Sequence, residues 1–336
     1  MYSVINHSLL AFFTAFAIAA ALGLMTVPLL QKLKLEQNAD SEGPKTHLNK
    51  QGTPTIGGII MMSAIILSTL FWAGGSYTFV LTALLMSMLF ALVGFVDDFI
   101  KVNKRRSKGM NPWQKLVIHL VLAVGFAFWL YHVEGVGPFL WNGSLNIGGS
   151  YIPFAALVII ATVNSVNLTD GIDGLASSVT SIYALAMGLL LCMTVVAAPA
   201  ATDPQNLLDR SSLSSFSMAV AGACIGFLIY NSYPAKVFMG DTGSHMLGGA
   251  VAAIALMSGT ALLLPLMCIC FAASSASVIL QIATNKLGNG KRIFRMAPIY
   301  HHFEMKGVPE AKIVSIYSVI TLVSSAAALL LYWLLQ

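Results

Sequence analysis

The sequence predicts an all-helical polytopic membrane protein that crosses the bilayer ten times. Three observations carry this reading. Only 9% of the 336 residues are charged while 57% are hydrophobic, whereas a soluble domain carries about 25% charged residues. The apolar runs are long and lack the alternation of a barrel strand, and lipid admits only helices and closed barrels. The basic residues fall almost entirely on alternate junctions between those runs.

A span needs about 20 apolar residues, and the runs lie at 8–30, 56–73, 77–99, 113–131, 151–167, 173–198, 213–231, 243–260, 261–284 and 313–334. The first follows a start without Lys or Arg, precedes Lys32 and Lys34, and is too long for a signal-peptide core. It is read as a retained span with its N-terminus outside. The second opens on the small-residue stretch GTPTIGG (52–58), and the third closes on GFVDDFIKV (94–102). The fourth starts within a basic cluster. The fifth and sixth flank NLTDGIDGLA (167–176), and the seventh and eighth flank VFMGDTGS (237–244). The eighth and ninth are separated at SGT because their combined length exceeds one helix. The tenth follows PIYHHFE (298–304). No repeat and no loop of domain size interrupts the series, so residues 1–336 form one domain. Cys192, Cys224, Cys268 and Cys270 all lie in apolar runs and read as packing residues.

Orientation follows from the basic residues, which favour the cytoplasmic side. Four fall in 32–50, six in 101–115, one at Lys236 and six in 286–312; only Arg210 falls opposite. Ten alternating spans with both termini outside satisfy this pattern. The net charge of +5 is then gathered on the cytoplasmic face. It serves insertion, and it also suits an anionic substrate. No nucleic-acid partner is expected.

Five acids come out at that same face: Asp97, Asp98, Asp170, Asp173 and Asp241. Acids at membrane depth are costly and tend to be functional. Asp170 and Asp173, three apart, share a face if helical; Asp173 and Asp241 also suit helix caps. Adjacent Asp97 and Asp98 do not, because they close their own helix, where the macrodipole disfavours anions. A hard divalent cation such as magnesium relieves that repulsion with oxygen ligands. The glycines of GTPTIGG, GIDG and MGDTGS leave helix ends open for backbone contacts to phosphate. His301 and His302 do not converge on one ion, being neighbours, and suit proton transfer or phosphate contact. The other five histidines, His119 and His245 among them, read as structural or interfacial.

Taken together and in this order, GTPTIGG, GFVDDFIKV, NLTDGIDGLA, VFMGDTGS and PIYHHFE resemble the phospho-N-acetylmuramoyl-pentapeptide-transferase family, within the polyprenyl-phosphate N-acetylhexosamine-1-phosphate transferases. The resemblance covers essentially the whole chain. It implies a bacterial inner-membrane enzyme working at the cytoplasmic face. UDP-N-acetylmuramoyl-pentapeptide and undecaprenyl phosphate would give lipid I and UMP, with Mg2+ as cofactor, membrane lipid around it, and a homodimer as the assembly. Residue by residue, it implies that Asp97 and Asp98 are the paired acids, with Asp98 as base or nucleophile, and that Asp241 binds magnesium. It places Asn167, Asp170 and Asp173 in a polar set after the fifth span. Asp170, Gly171, Leu175 and Phe238 lie near the uridine pocket. Lys50 and Thr55 belong to the nucleotide site, and Lys115 and Asn231 to its rim. His301 and His302 match the last two of three histidines; Tyr300 stands where the first is expected.

Two alternatives stay open on the sequence: a transferase of the same superfamily using another UDP-N-acetylhexosamine, and a cation-coupled transporter. A transporter would place its ionisable groups near the midplane, often on repeats; here they lie at one face. Two routes for the transfer also compete, direct attack by the lipid phosphate and prior attack by Asp98. The acceptor phosphate, with a second pKa of about 6–7 by analogy with other phosphomonoesters, is already largely ionised near neutral pH, which favours direct attack.

Overall fold

The structure is a computed structural model describing residues 2–33, 52–73, 75–104, 109–134, 139–140, 145–198, 202–287 and 292–335. Twelve helices follow in chain order: α1 (Tyr2–Lys32), α2 (Gly58–Phe71), α3 (Tyr77–Asn103), α4 (Pro112–His132), α5 (Tyr151–Thr169), α6 (Leu175–Val196), α7 (Pro204–Asn231), α8 (Gly240–Met257), α9 (Leu264–Met267), α10 (Ile269–Leu287), α11 (Ile299–Glu304) and α12 (Glu310–Leu334). A two-residue β-hairpin, Phe139–Leu140 with Leu145–Asn146, lies between α4 and α5. Seven of the described helices, α1, α3, α4, α5, α6, α7 and α12, are long and apolar enough to cross a membrane, and α2 is a shorter apolar helix. The protein is a multi-pass membrane protein.

The core is built on α7 and α8. Helix α8 is buried along nearly its whole length between α3 and α5, and α7 is buried between α1 and α6. Small residues make this possible, since helices in lipid associate by close packing rather than by a hydrophobic drive. At Gly94, an added Cβ would stand 2.0 Å from the Asp241 carbonyl oxygen, so α3 and α8 touch backbone to backbone. The serines of α7 bond across the interface: Ser214 donates to the Gly188 carbonyl and Ser217 to that of Ala184, each at 2.8 Å.

Helix boundaries differ from the hydropathy runs where capping decides them. Helix α7 starts at Pro204 instead of 213, because the Asp203 side chain caps it and Pro204 suits a first turn. Helix α3 continues to Asn103, so Asp97 and Asp98 lie inside its last turns. The predicted separation near 260 is present, with α8 ending at Met257. The ninth run, expected as one helix over 261–284, is instead two pieces, α9 and α10, parted at Cys268.

Helices α2 to α8 alternate in direction. The C-terminal ends of α3, α5 and α7 meet the N-terminal ends of α2, α4, α6 and α8, as the contacts of Asp98, Asn167, Asn231, Lys115, Asp173 and Gly58 show. All five acids of interest collect at this one end of the bundle.

Candidate active site

Asp97, Asp98 and Asp241 converge: one carboxylate oxygen of each lies within 4.8 Å of the others. The paired acids come from α3. Asp241 is the second residue of α8, delivered by Gly240, whose φ of +70° permits the turn. A Cβ at Gly240 would sit 2.5 Å from Asp98 Oδ2 and 2.8 Å from Thr55 Oγ1, so only glycine lets these groups approach.

Asp98 has a role that its own helix did not reveal. Its Oδ1 accepts from the Asp241 backbone N–H at 3.0 Å, and its Oδ2 accepts from the Thr242 N–H at 2.8 Å and the Thr242 hydroxyl at 2.7 Å. It caps α8 across the interface. The objection to capping applied to α3, where the dipole opposes an anion; at the N-terminus of α8 the dipole favours one. Asp97 turns elsewhere, accepting from the Met110 N–H at 2.7 Å and pairing with Lys101 at 2.7 Å.

Asp241 gathers both lysines. Its Oδ2 takes Lys101 at 2.9 Å and Lys115 at 2.7 Å, and its Oδ1 accepts from Asn167 Nδ2 at 2.8 Å. Asn167 also reaches Ser244 at 2.9 Å. Lys101, 3.8 Å from Asp98 as well, is central to the cluster and was missing from the sequence-derived set. Its signal was available: it stands three and four residues after the acids on one helix face, but in sequence it reads only as one of the basic residues of the cytoplasmic face. Two ammonium groups against three carboxylates leave one negative charge uncompensated, before Asp170 is added.

The donor set fits a hard divalent cation. Three carboxylates supply oxygen ligands, and Thr55 Oγ1 is buried beside Asp98 with no hydrogen-bond partner among the described residues. The stretch carrying Thr55 is held by Gly57 N–H to the Phe238 carbonyl at 2.9 Å and Phe238 N–H to the Pro54 carbonyl at 2.9 Å. Ile56 there adopts φ +69°, a strained setting for a β-branched residue.

A second group holds the neighbouring loops. Asp173 Oδ2 accepts from the Ala235 N–H at 2.9 Å. Asn231 accepts from Ser177 at 3.2 Å and donates to the Val237 carbonyl at 2.9 Å, so its amide braces the 232–239 segment. Leu175 is buried at the start of α6 and Phe238 is half-buried. Asp170 and Gly171 lie half-buried in the turn between α5 and α6. Burial, then the charges of Asp241, Asp98 and Asp173, push the Asp170 carboxyl well above its usual range. Lys50 lies outside the described residues.

The two histidines do not act as a pair. His301 is buried with Nδ1 at 2.9 Å from Glu304 Oε2. His302 Nδ1 accepts from the Arg295 N–H at 3.0 Å, and desolvation with Lys306 and Arg295 nearby holds the imidazole below its usual range. Conversely, His119 and His245, read as structural, lie directly beneath Asp241. The His245 Nδ1–H donates to the Asp241 carbonyl at 2.7 Å, and the two rings stand 5.0 Å apart. Both Nε2 atoms are buried without a partner among the described residues. A lone histidine in an apolar run gives no sequence signal of such a placement.

A cluster of acids at one end of a helical membrane bundle, braced by lysine and asparagine, suits an enzyme that handles an anionic substrate, and the family comparison supplies the class. Residues 78–259, more than half of the chain, match the family model described as glycosyl transferase family 4. Among curated proteins, phospho-N-acetylmuramoyl-pentapeptide-transferase of Clostridium perfringens (strain 13) is 44% identical over 319 residues, covering 94% of this chain and 95% of that one. The proteins of the same name from Heliobacterium modesticaldum and Acetivibrio thermocellus are 41% and 40% identical, covering 94% of this chain and 96% and 93% of theirs. The chain belongs to glycosyl transferase family 4 and, within it, to the phospho-N-acetylmuramoyl-pentapeptide-transferases.

Proposed function

We propose that the protein transfers phospho-N-acetylmuramoyl-pentapeptide from its UDP-activated form to undecaprenyl phosphate. The phosphate attached to the sugar passes to the lipid phosphate and UMP leaves. The single observation that carries the chemistry is the convergence of Asp97, Asp98 and Asp241 within 4.8 Å, beside two lysines. The proposal includes Mg2+ held by Asp241 with Asp98 and Asp97. When bound, the ion supplies neutralising charge at the diphosphate.

The chain's own residues do the positioning on which phosphoryl transfer depends. Asn167, Lys101 and Lys115 fix the Asp241 carboxylate, and the lysines add positive charge where the diphosphate enters. His301, oriented by Glu304, and His302 offer contacts from α11. Direct attack by the lipid phosphate is the favoured route. Nucleophilic attack by Asp98 would weaken the hydrogen bonds that its attacking oxygen accepts at the start of α8, one at Oδ1 or two at Oδ2, whereas direct attack breaks none of them.

The reading also places the site at the cytoplasmic face of a bacterial inner membrane, with ten spans formed by α1 to α8, α9 with α10, and α12, and with both termini outside. The alternating helices and the one-sided basic residues support it. A homodimer completes the proposal. The test is magnesium-dependent UMP release by purified protein in detergent, with Asp98→Asn and Asp241→Asn alongside. Loss of release with UMP still bound is the expected result. Turnover of UDP-N-acetylglucosamine and none of the peptide substrate would assign another donor, and absence of UMP release from any donor would reject transfer.

A further inference from the structure

Tyr300 is buried at the start of α11, far in sequence from the α5–α6 junction, yet it meets the turn that follows α5. Its hydroxyl donates to the Leu168 carbonyl at 2.7 Å. Leu168 is in the last turn of α5, where carbonyls lack helical partners, so Tyr300 satisfies one of them. The ring lies on Gly171: a Cβ there would stand 2.3 Å from Tyr300 Oη and 3.0 Å from Cζ. On the other side of the same turn, the Asp173 carboxylate takes the Ala235 N–H. The turn is thus clamped from two directions. Between the clamps, the Asp170 carboxylate has no hydrogen-bond donor among the described residues, the arrangement of a group kept open for a ligand. Burial and the nearby Asp170 charge hold the Tyr300 phenol well above its usual range, so it remains an O–H donor.

We infer that Tyr300 is a positioning residue for the nucleotide end of the donor: it ties α11 to the 170–174 turn and so sets the aim of Asp170. The inference rests on the donor reading above, in which Asp170 and Gly171 line the nucleotide pocket. The same tie fixes the distance between that turn and His301, the next residue on α11, whose ring is 4.4 Å from that of Tyr300. A nucleoside and its diphosphate would then be gripped by one rigid unit instead of two independent segments. Tyr300 itself moves no proton, since its hydroxyl is spent on Leu168.

The experiment uses the full-length protein in detergent. Tyr300→Phe deletes one oxygen and keeps the ring. Loss of a neutral hydrogen bond of about 1 kcal/mol corresponds to about a fivefold change. The expected result is a rise of about fivefold in KM for the UDP donor, with kcat and the KM for lipid phosphate unchanged. Calorimetric affinity for UMP should weaken by the same factor. A purely structural tyrosine would lower the melting temperature and leave both readouts unmoved, which overturns the inference. Gly171→Ala gives an independent reading, because its methyl group meets Oη. Its loss of UMP affinity should be partly recovered in the Tyr300→Phe/Gly171→Ala double variant, and strictly additive losses overturn the inference. If wild-type protein neither turns over the donor nor binds UMP, the functional reading falls with it. If wild type does both and the variants do not differ from it, this inference alone fails.

Discussion

The two ends of the helical bundle both carry acids, and they treat them differently. At the end remote from the site, Asp209 accepts from Ser76 at 2.5 Å and from Gln205 at 2.9 Å. Glu134 accepts from Thr82 and from Trp129 Nε1. Each of these carboxylates is served by neutral donors and belongs to no group of three acids among the described residues. At the site end, three carboxylates crowd within 4.8 Å around Lys101, Lys115 joins Asp241, and the Asp170 carboxylate has no hydrogen-bond donor among the described residues. Isolated acids with neutral donors tie helices together. Crowded acids raise the free energy of the fold and persist where a cation and an anionic substrate use them.

The sharpest way to break that contrast is Asp241→Asn. It removes the carboxylate that gathers both lysines and Asn167, and UMP release should fall by about a thousandfold or more, with UMP binding retained. Equal activity would place the chemistry elsewhere. Next in size is Lys101→Met, with an expected loss of about a hundredfold in kcat through loss of the positive charge it brings to the entering diphosphate. The same change removes a cation that competes with a metal, so Mn2+ should bind more tightly, not less. Weaker Mn2+ binding would show that Lys101 organises the ligands instead of competing with them.

Asp170→Asn should cost about tenfold in donor KM, and it carries a stability sign of its own. The folded-state carboxyl is raised above 3.8, so the wild-type fold loses stability as pH rises from about 4 through the raised value. The Asn variant escapes that loss. Its melting temperature should exceed that of wild type at pH 8, with the gap closing toward pH 4; a variant that melts lower at pH 8 would contradict the assignment. The smallest effects belong to the other end. Asp209→Asn and Glu134→Gln should leave UMP release within about twofold and lower stability by about 1 kcal/mol each. A large catalytic loss from either would erase the distinction between the two ends.

Much of the fold was legible because hydropathy acts locally: a run that cannot face water becomes a helix, and basic residues mark alternate ends. The break at Cys268 was not: Pro265 interrupts LLLPLMCIC and marks the start of α9, but nothing at Cys268 itself signals an end. The start of α7 was legible in principle from Asp203 and Pro204, a cap followed by a first-turn proline, but apolar runs mask such signals. Among site residues, the acids stood out because charge is so rare in this chain. Their partners did not. Asp98 as a cap of α8 is a contact between residues 144 positions apart, and His245 beneath Asp241 is indistinguishable in sequence from a packing residue.

The central claim, that Asp97, Asp98 and Asp241 share one divalent ion, is tested most directly by titrating Mn2+ into purified protein and following free Mn2+ by electron paramagnetic resonance. The account predicts one site in wild type and in Glu134→Gln, weakened in Asp98→Asn and abolished in Asp241→Asn. An undiminished Mn2+ site in Asp241→Asn would contradict it.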